Sequence, residues 1–454
     1  AKGKTYQTLP LYNNLKTKGN YIYATDFDIR GKSATITIEG EVRNEDADKD
    51  VTLEVNVVEM VDPNKDSTDA DHTKQPYLRY SFKSDATSVK TAKDTGADSH
   101  FMTTVPDDAY DDNPAATSTE TVDVTKIVAS AKCEDMKFWS PDSPNLYDVY
   151  TVIKDSEGNV LDVQKTTTGF RKVEYDINDG GLKINDQPVW LTGYAQRSTN
   201  EWAVIGVAND WLQDLDMQWI KESNSNFIRW MHVAPKPSQI RSGDKYGVVS
   251  ACPAGDKEAD VDGRAWDQRV EAMRDAMIYF KNSPSVIFWE AGNNAVTAAH
   301  QQEMTDLKNI LDPNGERFCG CRTISSTDQI QAADYVGTML NRHASNAKAS
   351  MAAIKKYVPI METEYAREEA PRRVWDDFSP PDYDYRNKWL GAGASKTDGY
   401  DIHDLTSEDF SLVDARAYNE FYSDRVGGLS GNDYYSAAAI MVWSDSNMHN
   451  RNTG

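Results

Sequence analysis

Asn282-Ser283-Pro284-Ser285-Val286-Ile287-Phe288-Trp289-Glu290-Ala291-Gly292-Asn293-Asn294 reads as a short apolar strand that leaves a proline-marked turn and ends in two carboxamides. Its apolar run does not alternate, so both strand faces are buried, as in a parallel sheet covered by helices. Amphipathic helical patterns flank it, near 263–281 and 297–311, and Asp312-Pro313-Asn314-Gly315 closes the second. The same rhythm extends in both directions. Apolar strands are predicted at 189–194, 226–232, 247–253, 286–292, 322–326, 334–339, 358–364 and 437–443, with further helices near 209–222, 346–357 and 411–427. Eight strands separated by helices predict a parallel (β/α)8 TIM barrel, placed at residues 173–454. The chain stops soon after the eighth strand, so the last helix is expected to be missing.

Upstream the period changes to two. Residues 21–27, 33–42 and 51–60 alternate apolar and polar and are rich in β-branched side chains. Residues 61–98 are polar and without periodicity, which predicts an exposed loop or hairpin insertion. Strand patterns resume at 101–105, 120–128, 146–154 and 160–167, the last two separated by the turn 155–159. Short strands with this punctuation predict an antiparallel immunoglobulin-like β-sandwich over residues 1–172. The expected class is therefore multidomain, a sandwich followed by the barrel.

Composition narrows the functional classes. The chain has 454 residues and a formal charge of -23, which argues against nucleic acid and anionic membranes as partners. Apolar residues make up 39%, enough for sizeable cores, and no apolar run is long enough to span a bilayer. The four cysteines are neither a disulfide framework nor a zinc set, and Cys319-Gly320-Cys321 is too tight for an easy disulfide. The start, Ala1-Lys2-Gly3-Lys4, lacks a signal-peptide pattern. A periplasmic or secreted location is preferred to a cytoplasmic one, and the oligomeric state is open.

In a TIM barrel the reactive groups sit at the C-terminal ends of the strands. Those ends supply Gln196-Arg197, Arg229 to His232, Glu290 to Asn294, Asn341-Arg342-His343, Glu362-Thr363-Glu364 and Trp443-Ser444-Asp445. No phosphate-cradling glycine loop, nucleophilic serine with a placed histidine, or metal-ligand spacing occurs, so neither cofactor nor metal is expected. Carboxylates, amides and aromatics suit a sugar, whose ring C–H faces stack on aromatics while its hydroxyls take hydrogen bonds.

Phe138 to Tyr147 (FWSPDSPNLY), followed by Gly169-Phe170-Arg171-Lys172-Val173, resembles the end of the immunoglobulin-like domain of glycoside hydrolase family 2. Five further stretches resemble that family's barrel motifs, in the right order: Ile184 to Leu191 (INDQPVWL), Asn226 to His232 (NFIRWMH), Pro284 to Asn294, Pro359 to Ala366 (PIMETEYA) and Ala439 to Trp443. The resemblance implies a retaining exo-β-glycosidase acting on oligosaccharides from a polysaccharide, β-galactosidase-like in the first instance. It implies Glu364 as the nucleophile, with Arg229 beside it to keep it ionised. Asn293, Arg229 and His232 are implied as pocket residues, Trp443 as a sugar-stacking aromatic, and His343 as a weaker candidate. Glu362, two residues before Glu364 on the same strand face, is expected to be a buried partner.

The chain departs from the family at Asn294, where the pattern has the acid/base glutamate. An amide cannot protonate a leaving oxygen. Three readings follow: an engineered substitution, a natural one with another carboxylate acting, or a protein that binds glycan without cleaving it. Glu290 is the nearest substitute, but four extended residues span ~13 Å and a retaining pair needs its carboxyls ~5–5.5 Å apart. Glu290 is therefore weighed as either a second acid/base or a buried structural acid. Asp382 and Asp384, in an aromatic stretch with Tyr383, Tyr385 and Trp389, are alternative acids. Arg197 and Arg342 are placed either on an anionic substrate group or in surface ion pairs. Family members usually begin with a jelly-roll domain that this chain lacks, so a piece of a longer polypeptide is expected.

Overall fold

The computed structural model describes residues 3–11, 17–60, 77–92, 123–179, 181–197, 209–255, 259–294, 296–323, 326–338, 358–365, 435–441, 443, 446–448 and 451–453. The helices expected near 346–357 and 411–427, and the strand at 101–105, lie outside these residues.

The first strands are β1 (Thr5–Gln7), β2 (Tyr21–Asp28), β3 (Ser33–Asn44), β4 (Lys49–Glu59), β5 (Tyr77–Lys83), β6 (Thr87–Val89) and β7 (Thr125–Cys133). After two short pieces, β8 (Trp139–Ser140) and β9 (Ser143–Pro144), come β10 (Tyr147–Asp155) and β11 (Val160–Thr168). Apart from β8 and β9, which pair only with each other, they form two antiparallel sheets: β3 pairs with β1, β2 and β7, while β4 lies between β10 and β5. Alternation fixes which face turns inward. Val51, Leu53, Val55 and Val57 of β4 meet Ile36, Ile38, Ile127 and Ala129 from the other sheet in one buried core. The polar stretch 61–98 is not loop throughout, because β5 and β6 both fall inside it and pair with β4.

A small sheet of β12 (Val173–Asp176), β13 (Gly181–Ile184) and β14 (Gln187–Pro188) follows. Then eight parallel strands close a barrel: β15 (Leu191–Arg197), β16 (Phe227–Met231), β17 (Val249–Pro253), β18 (Val286–Glu290), β19 (Phe318–Cys321), β20 (Tyr335–Thr338), β21 (Ile360–Tyr365) and β22 (Ala437–Met441). A final hairpin is formed by β23 (Ser446–Met448) and β24 (Arg451–Thr453). The described helices are α1 (Asp210–Glu222), α2 (Pro237–Tyr246), α3 (Arg264–Phe280), α4 (Ala298–Leu311) and α5 (Thr327–Ala332).

The barrel strands bury both faces, as their unbroken apolar runs require. Leu191, Phe227, Val249, Phe288 and Ala437 fill the lumen, and Val173, Leu182 and Ile184 of the small sheet share that core. Ile228, Trp230, Trp289 and Cys319 face outward onto Met217, Val270, Met273, Met304 and other helix residues. A Cβ at Gly320 would lie 2.6 Å from the Tyr335 ring, so glycine there lets the lumen hold a full aromatic.

Three of the described barrel elements differ from the sequence reading, one of them the unanticipated short helix α5, opened by a capping box between Ser326 and Gln329. The fifth barrel strand is Phe318–Cys321, ahead of the expected 322–326. Helix α2 was not anticipated, although Pro237 opens it and Gly247 ends it in the left-handed region at φ 74°.

The sandwich is bolted to the N-terminal end of the barrel. Arg171 donates to the carbonyls of Pro284, Val286 and Gly315, and Trp139 donates to the Asp244 carbonyl at 2.8 Å. Tyr21 donates to Asp312, and Asn282 exchanges hydrogen bonds with the backbone of Asn20 and Ile22.

Candidate active site

The site is assembled from the C-terminal ends of β16, β18, β19 and β21. Arg229 projects from β16 with no exposed surface. Its Nε donates to Glu290 Oε2 at 2.7 Å and one terminal nitrogen to Glu290 Oε1, a bidentate clasp. The same nitrogen reaches Asn293 Oδ1 at 2.9 Å, and the other meets Glu364 Oε1 at 2.8 Å. Burial works against the Arg229 charge, but Glu290 and then Glu364 outweigh it and hold its pKa above the ordinary value.

A second guanidinium, which the sequence reading did not single out, completes the cluster. Arg322 follows β19 and donates to Glu364 Oε2 at 3.1 Å, to Asn294 Oδ1 and to the Asn293 carbonyl. Its backbone nitrogen bonds the Gly292 carbonyl at 3.0 Å. The Glu364 carboxylate, 4% exposed, is thus held at both oxygens by different arginines. Two cations at hydrogen-bond distance favour its ionised form. Arg322 was missed because the fifth strand was placed four residues late, which moved the strand end to Ser326. The short run Phe318-Cys319-Gly320-Cys321 before it was the available signal.

Glu290 lies deep in the cluster, with no exposed surface and both oxygens on Arg229. The strand β18 ends at this residue, and the segment beyond continues forward beside β19, where Ala291 N–H bonds the Gly320 carbonyl at 2.7 Å. Asn293 is 4% exposed and Asn294 is half-buried. Glu362 and Glu364 do not share a strand face. Met361 belongs to the lumen core and Glu364 meets the lumen-facing Arg229, three residues on, across a register shift between Glu362 and Tyr365. Glu362 is fully buried and accepts from Thr338 Oγ1 at 2.8 Å.

His232 follows β16, 9% exposed, with φ 65°. That left-handed backbone is costly outside glycine and is found preferentially at functional sites. Trp443 is turned away from the mouth. Its ring packs against Tyr194 at 4.7 Å and its Nε1 donates to Asp216 Oδ1 of α1 at 3.3 Å, between the barrel wall and the helix layer. The sugar-stacking position expected for it is not the one it occupies. The physical reason is local: Trp443 N–H pairs with the Ala195 carbonyl, which directs the indole onto the outer face beside Tyr194. His343, Arg342, Asp382 and Asp384 lie outside the described residues.

Burial pushes the Cys321 thiol up to about 12, so it is a packing group and not a thiolate. Among the described residues no group of three or more His, Cys, Asp or Glu side chains is arranged to hold a metal ion.

The sequence matches the family model of glycosyl hydrolases family 2 over residues 20–171, and that family's TIM barrel domain over residues 175–372. The chain belongs to glycoside hydrolase family 2. A relative from Formosa agariphila, named a β-glucuronidase, is 31% identical over 442 residues, covering 96% of this chain and 38% of its own length. A β-galactosidase from Photobacterium profundum is 28% identical over 188 residues, 39% of this chain and 18% of its own. Among solved structures, a β-glucuronidase from glycoside hydrolase family 2 superposes with a TM-score of 0.70 at 28% identity, over 98% of this chain and 39% of that one. A Bacteroides uniformis β-glucuronidase shares the fold, with a TM-score of 0.65 at 16% identity over 97% of this chain and 47% of that one. The chain spans about two fifths of the length of the β-glucuronidase relative it matches throughout.

Proposed function

We propose that this chain carries the catalytic core of a retaining exo-β-glycosidase that works on oligosaccharides through a glycosyl-enzyme intermediate on Glu364. The observation that carries the reading is the Glu364 carboxylate at the barrel mouth, held at one oxygen by Arg229 and at the other by Arg322. A nucleophile of this type must stay ionised and aimed, and two guanidiniums, one on β16 and one just after β19, do both. Glu364 attacks the anomeric carbon, the bond to the aglycone oxygen breaks, and water later cleaves the ester.

We assign Asn293 to a substrate hydroxyl, with its Oδ1 fixed by Arg229, and His232 to the pocket wall. Glu290 orients Arg229: both of its oxygens are engaged and none of its surface meets the pocket. We assign Asn294 to the position of the family acid/base, as the sequence resemblance implies. Its Oδ1 accepts from Arg322, which turns its N–H2 away from that guanidinium. The amide can hydrogen-bond a leaving oxygen but not protonate it.

The name of the relative that aligns along nearly the whole chain favours a β-glucuronide over the β-galactoside first expected. Activated aryl glycosides test both points, because a good leaving group needs no acid. The expected result is a burst of phenol from the aryl β-glucuronide exceeding that from the galactoside, with covalent label on Glu364. Label elsewhere, or none, removes the nucleophile assignment. The second reading, a glycan-binding protein on this scaffold, rests on the Asn294 amide, and saccharide binding without any burst favours it.

A further inference from the structure

On the opposite side of the molecule from Glu364, where the sandwich meets the ends of α3 and α4, lies an open cleft of about 490 Å³. Its walls come from β2, β3 and β7 on one side and from Lys281, Ile310 and Pro313 on the other. Lys281 caps the C-terminus of α3 and is 4% exposed. Its ammonium lies 5.3 Å above the Tyr21 ring, and among the described residues no carboxylate or carbonyl stands within hydrogen-bond distance of it. Lys18, on the same cleft, likewise has no ion pair among the described residues. The carboxylates nearby are already engaged. Glu39 pairs with Lys126 at 2.5 Å. Glu41 accepts from the Lys18 backbone N–H and from Thr8. Asp312 accepts from Tyr21 and Arg317.

A buried ammonium without a hydrogen-bonding partner is costly, and two repelling ammoniums on one cleft are more so. An anion between them removes both penalties. Glu39 and Glu41 on the wall repel anything of high charge, so the occupant is a single small group. We propose that this cleft is a binding site for one small oxyanion, a carboxylate, sulfate or phosphate group, held by Lys281 and Lys18. Burial pushes the Lys281 ammonium down to about 8, with Lys18 adding to the effect and Glu41, Asp312 and Glu39 opposing it. An anion reverses that trend, and its hold weakens as the pH rises past 8. The occupant is either a free inorganic anion or the acidic group of a sugar.

The test is thermal unfolding of the whole chain at pH 7, at constant ionic strength in chloride, titrated with sulfate, inorganic phosphate, glucuronate and, as neutral control, galactose. The expected result is a saturable rise of about 2–4 °C with at least one anion and none with galactose. Saturation by sulfate or phosphate identifies a free anion; saturation by glucuronate alone identifies a sugar acid. Lys281→Met, which matches the side-chain length and removes the buried charge, should abolish the rise, and Lys18→Met should weaken binding about tenfold. The surface variant Lys18→Met decides the matter by itself if Lys281→Met does not fold. No saturable rise with any anion, or equal rises in the wild type and both variants, overturns the proposal.

Discussion

Replacing Arg229 separates the structural from the chemical work of the cluster. Arg229→Met removes two donors from Glu290, one from Asn293 and one from Glu364, and leaves Glu290 as a charge with no exposed surface. Breaking one partner of a buried ion pair costs about 3–5 kcal/mol. With a urea slope of about 3 kcal/mol/M, the midpoint of the barrel transition, followed by tryptophan fluorescence, should fall by about 1–1.7 M. Adding Glu290→Met removes the stranded carboxylate and puts an apolar chain of similar volume in its place, which should restore more than half of that loss. Activity should not return with it. The double variant still lacks the 2.8 Å contact to Glu364, and losing one charge-assisted bond to the nucleophile slows glycosylation at least about 10–100-fold. An unshifted midpoint in the single variant, or a double variant no more stable than the single, refutes the buried Arg229–Glu290 pair. A double variant that turns over activated aryl glycosides at the wild-type rate refutes the role given to Arg229 at Glu364.

Three further outcomes follow from the same geometry. Asn294→Glu places a carboxylate beside the Arg322 guanidinium, where an attraction of about 4 kcal/mol at ~4 Å lowers its pKa by about 3 units. The pH–rate profile on unactivated substrates should then show less than a tenfold gain at pH 7 and more below pH 5; a gain of ~10²–10⁴ at neutral pH contradicts the wiring. Trp443→Phe should cost about 1 kcal/mol through its lost bond to Asp216 and leave KM unchanged, whereas a large rise in KM puts the indole in the sugar pocket. For Lys281 the folded pKa of about 8 lies below the unfolded ~10.4, so between those values the unfolded chain binds more protons and stability rises with pH. Denaturation from pH 7 to 10.5 should show the wild type gaining up to ~3 kcal/mol on Lys281→Met; parallel curves disprove the buried charge.

Where one periodicity dominated, the sequence was readable. The runs Val286–Glu290 and Phe227–Met231 are predominantly apolar and buried on both faces, as covered strands are, and β4 alternates along most of its length. Reading failed where short elements carry little apolar signal. Strand β19 is four residues with a central glycine, so the β-branched stretch after it looked the better strand and Arg322 was passed over. Helix α2 has few apolar residues apart from Ile240, and its termini were the only markers. The register shift that sends Glu362 and Glu364 to different surroundings, and the outward turn of Trp443, depend on neighbouring strands that local sequence does not encode. Glu364, Arg229 and Asn293 could be paired from their places at strand ends, because the barrel brings all such ends to one rim.

The Arg171 clasp gives the linker between sandwich and barrel an unusual status. Its guanidinium, pushed down to about 9 by burial and the neighbouring Arg317, satisfies carbonyls at the start of β18, the same strand whose far end delivers Glu290 and Asn293. A barrel transplanted without its sandwich would keep every catalytic side chain and lose the anchor of the strand that carries two of them. Recombination between relatives should therefore succeed when the crossover falls upstream of β1 or beyond β22, and fail at the boundary that looks most natural on paper.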